Sequence, residues 1–160
     1  MRREVIKTPY PGAIISVNHY LGRRKDGGYY VKPECRAWKE ELQWLLKLCH
    51  LEDYKLPLEV TCSGYFGHWG VAPDLSNLSK VVLDAIEELT GINDKDMRWH
   101  DGERLAGYKE PYLLITISEP PEAIPFTPSK SKSSGIEGES SIQLHKTRKR
   151  GLKSHEKAIV

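Results

Sequence analysis

The chain has 160 residues, of which 39% are hydrophobic, which allows one domain with a packed core. Its charge is uneven: residues 1–118 carry 16 Lys and Arg against 17 Asp and Glu, whereas residues 119–160 carry 8 against 5. The near-neutral first part excludes polyanion binding through overall charge, leaving local patches, metal ions or the tail to supply it.

Met1-Arg2-Arg3-Glu4 is not followed by an apolar run, so no signal peptide is expected. No stretch reaches membrane-spanning length, and a cytoplasmic setting without membrane contact is expected. Cys35, Cys49 and Cys62 are odd in number and far apart, which argues against a disulfide framework or a thiolate zinc site. The β-branched run Ala13-Ile14-Ile15-Ser16-Val17 predicts a first strand. A polar turn through Arg23-Arg24-Lys25-Asp26-Gly27-Gly28 leads to a short return strand at Tyr29-Tyr30-Val31. Pro33-Glu34 begins a helix running to about His50, with Ala37, Trp38, Leu42, Leu45, Leu46 and Cys49 as its buried face.

Leu58, Val60 and Cys62 alternate with polar residues, and Tyr65-Phe66 extends this long strand. Gly67-His68-Trp69-Gly70 turns the chain. A second helix is predicted over 74–89, with Leu75, Leu78, Val82, Ala85, Ile86 and Leu89 as its core stripe and Gly91 as its terminator. Met97 to Leu105 and Tyr112 to Ile117 read as the last strands, with Asp101-Gly102 as a bulge or tight turn. The order β-(β)-α-β-α-β-β predicts an α+β domain, a mixed sheet with two main helices packed on it. The expected domain is 1–118. Residues 119–160, Pro/Ser-rich and then basic through Lys146-Thr147-Arg148-Lys149-Arg150, read as a disordered tail with too few apolar anchors to offset ordering entropy.

The chemistry-bearing set is Pro73-Asp74-Leu75-Ser76-Asn77-Leu78-Ser79-Lys80, with Lys95-Asp96 beyond the helix. Asp74 stands where a helix begins, so it is either an N-cap or a metal ligand. Mg²⁺ takes oxygen ligands and keeps several waters, so Asp74 and Asp96 form a candidate ligand set. Lys80 is either half of an i,i+4 pair with Asp84 or a cation beside a phosphate. Lys95 is a candidate phosphate contact. His19, His68 and His100 lack ligand spacing. Trp69 and Trp99 read as core or rim residues, although the 67–70 loop lies close enough to the acids for DNA contact.

At these residues the chain resembles the RusA-like Holliday junction resolvase family, over roughly residues 11–118. Ser16-Val17-Asn18-His19-Tyr20 is similar to that family's Ser-x-Asn-x-Tyr segment. Pro73-Asp74-Leu75-x-Asn77-Leu78-x-Lys80, continued by Leu83-Asp84-Ala85, is similar to its central motif. Lys95-Asp96 falls where the family usually has Asp-Asp. The resemblance implies a homodimer that binds four-way branched DNA and cuts two strands symmetrically with Mg²⁺, in recombination and repair. By position it implies catalytic roles for Asp74, Asp96 and Lys80, with Asn18, Lys32, Asn77 and Lys95 as DNA contacts. Ser76 departs from the pattern, because the family often has a second Asp there; its hydroxyl can still join Asp74 and Asp96 as a Mg²⁺ ligand but brings no negative charge, and Asp94, Asp101 and Glu103 are the acids that would compensate. The alternative expectation is a non-catalytic junction-binding protein whose metal site has decayed at Ser76. A blander one is an interaction domain whose acids only cap and solvate.

Overall fold

A computed structural model describes residues 1–123 of the chain. The remaining residues of the expected tail, including the basic run at 146–150, lie outside the described residues. The first strand is β1 (Arg3–Pro9), followed by a 3-10 turn at Ala13–Ile15. The strands β2 (Leu21–Arg23) and β3 (Tyr29–Val31) pair as a separate antiparallel hairpin. Helix α1 (Pro33–Lys47) precedes β4 (Leu58–Phe66). A 3-10 turn at Leu75–Leu78 runs into α2 (Ser79–Thr90), and β5 (Met97–Ala106) and β6 (Tyr112–Ser118) close the domain.

The main sheet has the order β1-β6-β4-β5. β4 pairs parallel with β5, and the other contacts, β1 with β6 and β6 with β4, are antiparallel. The parallel pair requires a crossover, and α2 supplies it. The sheet is therefore mixed, with both main helices sharing one core with it: Trp38, Leu42 and Leu46 of α1 and Val82, Ala85 and Ile86 of α2 join Leu58, Val60 and Phe66 in one buried cluster. Gln43 Nε2 of α1 donates to the Ala85 carbonyl of α2 at 3.1 Å, and the buried Lys39 pairs with Glu88.

Several elements differ from the sequence-based expectation. The 13–17 run is not a strand: Gly12 has φ 98° and Ala13–Ile15 coil into a 3-10 turn that buries Ile15. The first strand lies earlier, where only Ile6 and Thr8 are buried. Ala37 and Leu45 of α1 are exposed rather than part of its buried face. β5 continues unbroken through Asp101 and Gly102, with the register shifted so that Gly102 and Glu103 both oppose Ser63. This is a bulge. A Cβ on Gly102 would overlap the Ser63 hydroxyl and sit 3.0 Å from the Cys62 carbonyl oxygen, so the close approach needs glycine. The ordered contacts also reach one residue past the expected boundary at 118. Glu119 is 7% exposed and accepts backbone N–H bonds from Arg2 at 2.8 Å and Lys55 at 3.2 Å.

Candidate functional site

Two segments distant in sequence meet at the start of α2. Ser16 is buried, and its carbonyl accepts the N–H groups of His19 and Tyr20 at 2.9 Å each, which curls residues 16–20 into a tight coil. The Val17 N–H then donates to the Asn77 carbonyl at 2.9 Å. Beside this bond lies an open cleft of about 680 Å³, lined by Tyr10, Ser16, Asn18, His19, Pro73 and Asn77 among others. Lys32 continues the same neighbourhood: it precedes α1, and its N–H donates to the Tyr20 carbonyl at 2.9 Å.

Asp74 immediately precedes the Leu75–Leu78 turn with extended backbone, the N-cap position, yet its side chain makes no capping bond. Only its carbonyl is used, accepting from the Asn77 N–H at 3.0 Å. The exposed carboxylate is therefore left for another partner. The turn beneath it is fixed by burial of Leu75 and Leu78. From the sheet side, Arg104 Nε donates to the Pro73 carbonyl at 2.9 Å and a terminal guanidinium nitrogen to the Ala72 carbonyl at 2.7 Å. The same guanidinium lies 5.3 Å from the centroid of the Trp69 ring. Ser76 is exposed, and its carbonyl accepts the Ser79 hydroxyl at 2.7 Å.

Lys80 donates to Asp84 at 2.7 Å, one helical turn on. That bond, then the negative charge of Asp84, raises its pKa, with smaller contributions from Tyr20 and Asp94. Lys95 is exposed, and its N–H is tied to the Asn93 side chain at 3.2 Å.

Asp96 ends the short turn Asp94–Asp96, immediately before β5. Met97 pairs with Leu58 at the start of β4, whereas Arg104, which grips the Pro73 carbonyl, pairs with Gly64 near its end. α2, 12 residues long, spans about 18 Å. The matching path along β4, from Leu58 to Gly64, gives a similar figure, about 20 Å at roughly 3.3 Å per residue. Asp74 and Asp96 of one chain therefore stand at opposite ends of α2. Among the described residues no group of three or more Asp, Glu, His or Cys is placed to hold a metal ion. The donor chemistry of Asp74, Asp96 and Ser76 is all oxygen and suits a hard cation, but one chain does not bring these donors together.

The compensating acids are also dispersed. Asp101 lies on the helix-facing side of β5 and accepts Trp99 Nε1 at 2.7 Å. Glu103 accepts the Tyr65 hydroxyl at 2.9 Å, on the opposite side of the sheet. Asp94 lies within electrostatic reach of Lys80.

Arg104 and Tyr10 were not singled out from the sequence. Alternation counted from the buried Met97 places Arg104 on the helix-free face, but the bulge at Gly102 inverts the parity and turns it toward Pro73. No sequence signal marks Tyr10, which packs edge-on against Phe66 at 4.9 Å between ring centroids.

An α+β domain that joins an Asn-bearing coil to an uncapped Asp at a helix entrance, with further acids at the helix exit, has the parts of a phosphodiester-cleaving nuclease. Residues 11–118 match the family described as Endodeoxyribonuclease RusA, and the chain belongs to that family. The family is one of endonucleases that resolve Holliday junctions, which makes branched DNA its substrate. No curated protein matches the chain. Among the described residues no helix is long and apolar enough to cross a membrane.

Proposed function

We propose that this chain is a Mg²⁺-dependent, structure-specific endodeoxyribonuclease that resolves four-way junctions as a homodimer in DNA recombination and repair. The observation that carries this reading is the Val17–Asn77 bond, which seats the Asn18 coil beside Asn77 in one cleft whose wall at Pro73 leads directly into Asp74. Asn18 and Asn77 offer amides to a DNA strand in that cleft, and Lys32, whose N–H is bonded to the Tyr20 carbonyl, is a further DNA contact. Lys80 is free to turn toward a phosphate, because an exposed i,i+4 pair is worth only about 0.3–0.5 kcal/mol. There it would stabilise the charge gained by the phosphate oxygens in the transition state.

A bound divalent ion would activate a water and polarise the phosphate. Asp74 and Asp96 are the acids available to hold it, and a two-fold partner accounts for their separation. In an antiparallel pair, the helix entrance of one chain lies level with the helix exit of the other. Two such sites would face two equivalent strands of a junction. The test is subunit mixing. Asp74→Asn and Asp96→Asn homodimers should each be inactive, while a mixture should regain nicking through one intact composite site per heterodimer. A mixture as inactive as its components would refute the shared site. The rival, a junction-binding protein without catalysis, is favoured by one observation, the uncharged Ser76; it predicts junction binding without product in Mg²⁺ or Mn²⁺.

A further inference from the structure

Trp69 opens the short 3-10 turn Trp69–Val71 that runs into the cleft wall at Gly70–Pro73. Its side chain is 56% exposed, although burying an indole is ordinarily favourable by a few kcal/mol. The ring is nevertheless held. The Arg104 guanidinium covers it at 5.3 Å and is itself fixed by its bonds to the Ala72 and Pro73 carbonyls. No other aromatic ring packs on Trp69 among the described residues. An oriented indole, cation-backed and exposed beside an open cleft, fits a flat π-surface better than a phosphate.

We propose that Trp69 stacks on an unpaired nucleobase at the branch point of the DNA substrate, with Arg104 as its positioning residue. The inference rests on the junction-resolving reading and names how the cleft tells branched from linear DNA. In a linear duplex both faces of each base are covered by neighbours. At a branch point a base can unstack and offer a face, and stacking on an aromatic side chain tolerates any base. Arg104 on the other side of the ring adds a cation–π contact to the stack.

The test is equilibrium binding of the full-length protein to a four-way junction and a matched linear duplex in EDTA, over a range of salt. Trp69→Ala should weaken junction binding by roughly 5- to 100-fold and leave duplex binding unchanged. The slope of log K against log salt should not move, because no phosphate contact is lost. Trp69→Phe should recover most of the affinity, and Arg104→Met should reproduce part of the loss. Equal effects of Trp69→Ala on junction and duplex, or none on either, would overturn the stacking role. Since Val71 beside it is also exposed, sedimentation of Trp69→Ala is the second readout: dissociation of the dimer would assign the residue to a protein interface and overturn the proposal. A wild-type protein that binds both DNAs alike would instead refute the junction-resolving reading itself.

Discussion

Arg104 is the residue through which the sheet controls the position of Asp74. Its side chain reaches from β5 to two successive carbonyls, those of Ala72 and Pro73, at 2.7 and 2.9 Å. Arg104→Met keeps much of the aliphatic stem and removes both bonds. A hydrogen bond to a charged group contributes about 1.5–3 kcal/mol net. These carbonyls lie beside an open cleft where water replaces part of the loss, so the expected destabilisation is about 1–2 kcal/mol. For a domain of this size that lowers Tm by roughly 4–8 °C. Activity should suffer more than stability. The Ala72–Pro73 segment leads directly into Asp74, and a shift of about 1 Å at a reacting group costs up to ~100-fold. Arg104→Lys separates charge from geometry: one ammonium does not reproduce the guanidinium fork, so it should recover little of the activity. The assays are thermal denaturation by circular dichroism and single-turnover cleavage of a labelled junction. An Arg104→Lys protein with wild-type Tm and wild-type cleavage would refute the clamp.

Three further outcomes are expected. Gly64→Ala should destabilise the fold by about 1–3 kcal/mol in urea denaturation, because the added methyl overlaps the Phe66 ring and sits 2.9 Å from Leu75, beside Asp74; an unchanged midpoint would contradict this packing. Cys62 is fully buried and its thiol pKa is pushed up to about 12, chiefly by burial, so it should resist alkylation at pH 8 in the native protein and react once urea is added. Glu119 is held below the ordinary carboxylate range by the backbone N–H of Arg2 and then that of Lys55. Its contribution to stability is present above the unfolded-state pKa and is lost as pH falls through the lower folded-state value. Glu119→Gln should therefore flatten the stability slope below about pH 4.5, and an unaltered slope would show that these bonds do not favour the carboxylate.

The legible parts of the fold were those with strong periodicity. β4 alternates from Leu58 to Cys62, and the apolar stripe of α2 marks its core face. β1 was hidden because an edge strand that buries only Ile6 and Thr8 carries little pattern. The 13–17 run misled because its β-branched residues bury Ile15 from a 3-10 turn after the left-handed Gly12. The residues of the cleft were legible as motifs, but their distances were not. Lys95-Asp96 follows α2 closely in sequence, yet a helix that crosses between parallel strands carries its exit the full length of the sheet away from its entrance. Arg104 was hidden by the bulge at Gly102, a backbone irregularity that shifts face parity without changing composition.

The most direct measurement is incubation of the purified protein with an end-labelled four-way junction and a matched linear duplex, with and without Mg²⁺, alongside Asp74→Asn. Paired, symmetrical nicks in the junction alone, dependent on Mg²⁺ and absent in Asp74→Asn while junction binding persists, are the predicted result. Uncut junction in Mg²⁺ and Mn²⁺, or an Asp74→Asn protein that cuts at the wild-type rate, would contradict the account.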